Sequence, residues 1–310
     1  MTIHYPPITV AVPGTCGELV QGWSPEWDEP VLVSCPIARY SRVQVQIEPV
    51  PGIRLPGRRQ TLPKLVRAAR LFLEYAGRPD LGATAAVQSD LLPGRGMASS
   101  TADIVGVMAA LALGLDFPLA PEEMARLACR IEPSDSTMFP DLTLLAYRGS
   151  ARCQRLGPCP PLALLLLDAG PPVDTLRFNA RLNLDAVRKL APATAEAVAL
   201  LTAGLRTGNP AEIAAAASLS AASYQVVSPH PLLEQAVRWA GETGALGVVR
   251  AHSGSVIGLL FPAAASLQEP ARWLARRFRG RIVQTALVPG GAQVLTPGIP
   301  FPLMEVNQTL

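Results

Sequence analysis

The 310-residue chain predicts an α+β layer architecture on three observations. Helical periodicities alternate with pairs of strand-like segments, a pattern unlike the single strands of a doubly wound parallel sheet. The composition, 49% hydrophobic and 16% charged, supplies a folded core and excludes a disordered polymer. A turn-rich stretch without periodicity, residues 149–161, divides the pattern near its middle. That stretch predicts two domains, 1–155 and 156–310.

Each element has a local reason. "ITVAVPG" from Ile8 and "RVQVQIE" (42–48) run apolar or alternate as strands do. "LPKLVRAARLFLEYAG" (62–77) carries apolar residues at helical spacing and closes on a glycine. "ATAAVQSDL" follows as a strand, and "STADIVGVMAALALGL" is a helix apolar nearly all round, which implies deep burial. "PEEMARLACRIE" starts a helix on Pro121 with Glu122 and Glu123 where acids suit the dipole. In the second half "LALLLLDAG" is a buried strand, followed by alanine-rich helices near 192–206 and 210–225. "PLLEQAVRWAGETG" then leads to the strand pair "LGVVRAH" and "SVIGLLF". An arginine-rich helix (271–280) and the strand "RIVQTALV" complete the chain's pattern.

Composition also limits function. Asp168 stops the longest apolar run well short of the roughly 20 residues a membrane span needs. The first ten residues lack a basic stretch leading into an apolar one, so no signal peptide is expected and the cytoplasm is the expected compartment. A net charge of +3 gives no basic face for nucleic acid, and the arginines of 271–280 read as a solvated helix face. Five irregularly spaced cysteines without a CxxC pair indicate neither a disulfide framework nor zinc. Three histidines, His4, His230 and His252, make a histidine metal site improbable.

Three stretches carry candidate chemistry. In "LLPGRGMASSTADIV" (91–105), Gly94 and Gly96 permit close backbone approach to a ligand. Ser99, Ser100 or Thr101 can cap the helix behind, whose free N–H groups favour an anion. A hydroxyl there also suits magnesium beside phosphate. By itself the segment reads first as a strand–turn–helix junction with a serine cap, and it lacks the GK[ST] ending of a P-loop. In "VPGTCGELVQG" (12–22) a strand ends at Pro13 and glycines bracket Glu18, as in a substrate-side turn or a plain hairpin. In "IEPSDSTMFPDL" (131–142) Glu132 and Asp135 flank Pro133, and a carboxylate on a rigid turn suits a base for a hydroxyl proton. A helix-end cap is the alternative. "RAHSGSVIGLLF" (250–261) is a weaker fourth, read chiefly as a hairpin turn with His252 a satisfied loop residue.

Together these segments resemble the GHMP kinases, small-molecule kinases named for galactose, homoserine, mevalonate and phosphomevalonate. Pro93, Gly96, Ser99 and Ser100 match the ATP motif, residues 13–22 the N-terminal motif and 253–258 the C-terminal glycine motif. "PGTCGELVQG" and "EPSDST" are most similar to the L-threonine kinase branch that serves cobalamin biosynthesis. The resemblance implies a ribosomal-protein-S5-like N-terminal domain and a ferredoxin-like C-terminal domain, with ATP, Mg2+ and L-threonine between them. From charge and hydropathy no nucleic-acid or membrane partner is expected, and the oligomeric state is undefined. The implied nucleotide loop is Pro93, Gly94, Arg95, Gly96, Met97, Ala98, Ser99, Ser100 and Thr101, with Ser99 capping the helix. Asp135 is the implied catalytic base. Ser100 and Glu132 are the implied metal ligands, and Glu122 and Glu123 are rivals because the family's metal glutamate usually lies about ten residues before the aspartate. The implied substrate side is Gly14, Thr15, Cys16, Gly17 and Glu18, with Ser136, Thr137, Ser253 and Gly254; amides at 14–17 would serve the carboxylate and Glu18 the ammonium. A kinase of another small alcohol such as homoserine, and a non-catalytic nucleotide-binding member, are the alternative readings.

Overall fold

The computed structural model describes residues 5–56, 62–168 and 170–296; His4 lies outside them. The first half runs β1 (Ile8–Ser24), β2 (Glu29–Glu48), β3 (Gly52–Arg54), α1 (Pro63–Tyr75), β4 (Gly82–Ser89), α2 (Ser99–Gly114), α3 (Pro121–Cys129), β5 (Leu142–Leu145) and β6 (Cys153–Gly157). The second runs β7 (Leu162–Asp168), α4 (Thr175–Arg181), α5 (Leu184–Arg188), α6 (Ala191–Thr207), α7 (Pro210–Tyr224), α8 (Leu233–Thr243), β8 (Gly247–Arg250), β9 (Val256–Pro262), α9 (Gln268–Ala275), β10 (Arg281–Ala286) and β11 (Gln293–Leu295).

The described strands form one sheet in the order β10-β7-β9-β8-β1-β2-β4-β3, with β11 on β1, β5 on β2, and β6 on β5. Pairing is antiparallel except between β3 and β4. β1 meets β8 through one register pair, Glu18 with Arg250, and β11 of the second half also pairs with β1. No helix among the described residues is long and apolar enough to cross a membrane.

Burial explains why the sequence patterns look as they do. The α2 helix is buried from Thr101 to Ala112 except at Asp103, which accepts from the Ser41 hydroxyl at 2.5 Å. Full burial of Ile104, Val105, Met108 and Leu111 stabilises by about 1.5–3 kcal/mol each. Leu164 and Leu166 of β7 join the main core, while Leu165 and Leu167 pack with Trp239 of α8 and Leu274 of α9. A strand covered on both faces reads as a continuous apolar run, as "LALLLLD" does.

The structure changes several boundaries. The first strand does not end at Pro13; it continues to Ser24, with register shifts at Pro13/Gly14, Thr15/Glu18 and Glu18/Val20. Glycine-rich sequence here marks β-bulges rather than a turn, and bulges re-aim side chains. The "turn-rich" segment 149–161 holds β6, and 170–190 holds the short α4 and α5. The arginine helix ends at Ala275, and Arg276, Arg277 and Arg279 beyond it are exposed.

Candidate active site

The loop before α2 is fastened by its carbonyls. Gly94 O accepts from Val173 N at 2.7 Å, and Arg95 O accepts from Ser255 N and Val256 N at 3.0 Å each. Gly96 O accepts from Gly17 N at 3.2 Å and Met97 O from Thr15 N at 3.1 Å. In a trans peptide the C=O of one residue and the N–H of the next point in opposite directions. The N–H groups of Gly96, Met97 and Ala98 therefore face away from these anchors. Gly94 (φ 71°) and Gly96 (φ 85°) supply the left-handed backbone this path needs.

The helix start differs from the sequence expectation. Ser99 is not the cap; it is the first helical residue, and the cap position is Ala98 at φ 54°, with no side-chain hydrogen bond to the helix end. No acid lies in the first turn. The start of α2, with no side-chain cap and no acid of its own first turn, offers amides and a dipole suited to phosphate.

Two carboxylates reach the same cleft from the 131–135 turn. Glu132, with a side chain 2% exposed, accepts from the Ser100 hydroxyl through Oε1 and pairs with the Lys64 ammonium through Oε2. Thr101 Oγ1 donates to Asp135 Oδ2 at 3.0 Å and accepts from Asp135 N at 3.3 Å. Glu18, aimed inward by the bulges of β1, lies against Asp135. Burial first, and then the Asp135 charge, hold the Glu18 carboxyl well above the usual carboxylate range. Burial also raises Asp135, while hydrogen bonds from Glu18 and Thr101 hold it down. Of the two, Glu18 is pushed up further, with Asp135 on the accepting side of the pair.

The remaining wall includes Leu32, Tyr147, Thr175, Asn179 and His252. His252 contacts Tyr147 Oη at 3.2 Å and Gln21 Oε1 at 3.1 Å, packed among the Tyr147, Phe178 and Tyr224 rings. Burial and the Arg250 and Arg148 charges push it down to about 3, so it is neutral at physiological pH.

The cleft thus gathers Glu18, Pro93, Gly94, Gly96 through Thr101, Glu132, Asp135 and Ser253. Other expected residues lie behind it. Two amides of 14–17 are already donated, Thr15 N and Gly17 N to the loop carbonyls. They brace the nucleotide-side loop instead of facing a substrate carboxylate. Gly14 closes against Leu91 and Met97, and Gly254 against Arg95. Ser136 exchanges hydrogen bonds with Ser34, and Thr137 is buried. Arg95 turns its side chain to Asp168. Glu122 is exposed and Glu123 accepts from Tyr75 Oη at 2.7 Å, so neither rival acid lines the cleft with Glu132. Lys64, Tyr147, Thr175 and Asn179 went unnoticed in the sequence. Lys64 looked like any polar residue of an amphipathic helix, and the other three carry no local signal.

Among the described residues no three His, Cys, Asp or Glu side chains group as a metal cage. Ser100 and Glu132 are two hard oxygen donors already in contact at the helix start. Such a donor pair fits Mg2+, which usually keeps several waters and binds through one or two carboxylates plus substrate phosphates.

An amide-lined loop leading into an uncapped helix, with a carboxyl pair at its end, is an arrangement suited to phosphoryl transfer on an α+β scaffold. Residues 63–139 match the GHMP kinases N terminal domain. An L-threonine kinase of Salmonella typhimurium strain LT2 is 35% identical over 80% of this chain and 81% of its own. One of Citrobacter freundii is 32% identical over 80% and 84%. A solved homoserine kinase from Cytophaga hutchinsonii covers 95% of this chain and 99% of its own with a TM-score of 0.70 at 16% identity. The chain belongs to the GHMP kinase family, and it is a kinase.

Proposed function

We propose that the protein transfers the γ-phosphoryl group of ATP to the side-chain hydroxyl of L-threonine, giving L-threonine O-3-phosphate for cobalamin biosynthesis in the cytoplasm. Residues 1–155 form the nucleotide-binding unit and 156–310 the second unit in this reading. The observation that carries it is the Glu18–Asp135 carboxyl pair in one cleft with a loop whose amides are turned from their anchors. The names of the two curated relatives support threonine as acceptor.

The threonine oxygen attacks the γ-phosphorus, the bridging β–γ P–O bond breaks, and ADP departs. The hydroxyl proton passes to Asp135, which Thr101 and Glu18 hold ionised. The Glu18 carboxyl also offers an acceptor oxygen to the substrate ammonium; its Oε2 meets no N–H or hydroxyl donor among the described residues. The amides of Gly96, Met97 and Ala98 and the start of α2 stabilise phosphate charge without reorganising. Ser100 and Glu132 would hold Mg2+, which supplies neutralisation of the triphosphate.

A coupled ADP assay over amino acids and small alcohols, with the product identified by mass, tests the reading. Threonine should be preferred, and Asp135→Asn should slow turnover by about 10²–10⁴-fold. Preference for homoserine would refute the acceptor, and near-normal turnover by Asp135→Asn would refute the base.

A further inference from the structure

Asp168 ends the apolar strand β7, is 7% exposed, and has no part in the chemistry above. Its Oδ1 accepts from Ser255 Oγ at 2.6 Å and pairs with Arg95 Nη1 at 3.3 Å. The same two partners are joined by their backbones, Ser255 N donating to Arg95 O at 3.0 Å. The contacts close a ring: carboxylate to serine hydroxyl, serine amide to arginine carbonyl, guanidinium back to the carboxylate. The ring surrounds the peptide that orients the Gly96 N–H.

The approach inside the ring is close. A Cβ on Gly254 would lie 2.3 Å from Arg95 O, and one on Gly96 would lie 2.3 Å from the Ala251 Cβ. The backbone of the phosphate loop therefore rests directly on the β8–β9 connection. Asp168 fixes both sides of that contact with one charge. β7 is hydrogen-bonded to β9 and β10 on either side, with Asp168 opposite Val256 and Arg281, so the carboxylate stands on a rigid base.

We propose that Asp168 is a positioning residue for the nucleotide: through Arg95 and Ser255 it presets the loop amides that receive the phosphates. It touches neither substrate. The inference rests on the reading of 93–101 as the ATP loop. It also gives the serine–glycine turn at 253–255 a task, which is to fasten the phosphate loop to the other half of the sheet.

The test uses the full chain. Asp168→Asn keeps an acceptor for Ser255 and loses the charge for Arg95; Asp168→Ala loses both. Binding of ATP and ADP by calorimetry, KM for each substrate, and melting temperature are measured for both variants and for Ser255→Ala. Preset amides lower the ordering cost of binding, so nucleotide Kd and KM for ATP should rise about tenfold in Asp168→Ala and less in Asp168→Asn. KM for threonine should stay within about twofold, because preorganisation is lost only on the nucleotide side. Asp168→Ala combined with Ser255→Ala should be no weaker than Asp168→Ala alone, because opening the ring once suffices. Unchanged nucleotide Kd in a folded Asp168→Ala, or equal rises in both KM values, would overturn the proposal. If Asp168→Ala does not fold, the same criteria apply to Asp168→Asn. Failure of the wild-type protein to bind either nucleotide overturns the ATP-loop reading, and the proposal with it.

Discussion

Thr101→Val isolates the hydroxyl that supports the base while keeping the side-chain shape. It removes the donor to Asp135 Oδ2 at 3.0 Å and the acceptor for Asp135 N at 3.3 Å. A hydrogen bond to a charged group contributes about 1.5–3 kcal/mol, and a buried amide left without an acceptor costs about 1–3 kcal/mol. Asp135 is only half-buried, so water in the cleft replaces part of each, leaving a loss of about 2–3 kcal/mol. At roughly 2–4 °C per kcal/mol, the melting temperature should fall by about 5–10 °C. The pH dependence follows from the sign of the contact. Burial already raises Asp135, and the Thr101 hydroxyl holds it down; valine lets it rise further. The acid limb of kcat/KM for threonine should move to higher pH. A folded-state carboxyl raised above its unfolded value adds stability that is full below the unfolded pKa and lost as pH rises through the folded one. The variant's loss in melting temperature should therefore be larger at neutral pH than in acid. A pH–rate profile with an unmoved acid limb, alongside a lower melting temperature, would show that Thr101 is only a packing residue and refute its support of the base.

Other perturbations read other parts of the site. Gly17 sits at φ 64°, and a Cβ there would lie 2.1 Å from Arg250 O, so Gly17→Ala should cost about 1–2 kcal/mol in backbone strain and about 1–3 kcal/mol in overpacking. Chemical denaturation within about 0.5 kcal/mol of wild type would contradict that packing. Lys64→Met leaves Glu132 buried without its cation and should destabilise by about 2–3 kcal/mol, discounted because Lys64 is a third exposed. Adding Glu132→Gln should restore most of it, and a double mutant no more stable than the single one argues against the pair. His252 and His230, held by burial at about 3 and about 4, bind fewer protons folded than unfolded, so stability should fall as pH drops below about 6.5. The loss at pH 5 is about 2 kcal/mol for each, and His252→Asn should remove about half of the total; an unchanged loss between pH 7 and 5 would exclude His252 as a source.

Much of the scaffold was legible because its determinants are local. The all-apolar α2, the Pro63 and Pro121 helix starts, and the strand pair of β8 and β9 follow from periodicity and caps that a dozen residues contain. The same holds for the loop before α2, where two glycines, two serines and an apolar helix stand next to one another. Ser99 suits a cap by residue type, but the sequence does not show which residue takes the left-handed conformation, and Ala98 does so here against its usual preference. The bulged run of β1 looked like a turn for a similar reason: glycines at 14, 17 and 22 mark positive φ or close approach, which hairpins and bulges share.

What the sequence determined by itself was the order of elements, the candidate acids at 132 and 135, and the kinase resemblance that three motifs carry jointly. What only the tertiary structure decided was which distant groups meet. Glu18 and Asp135 are 117 positions apart, Lys64 and Glu132 are 68, and Arg95 and Asp168 are 73. Burial raises both carboxyls of the first pair, Glu18 the further, and makes the second a charge-paired oxygen donor. It also commits the Thr15 and Gly17 amides to bracing the loop rather than facing a ligand. Charge state and hydrogen-bond direction depend on neighbours across the sheet, and no spacing along the chain encodes those neighbours.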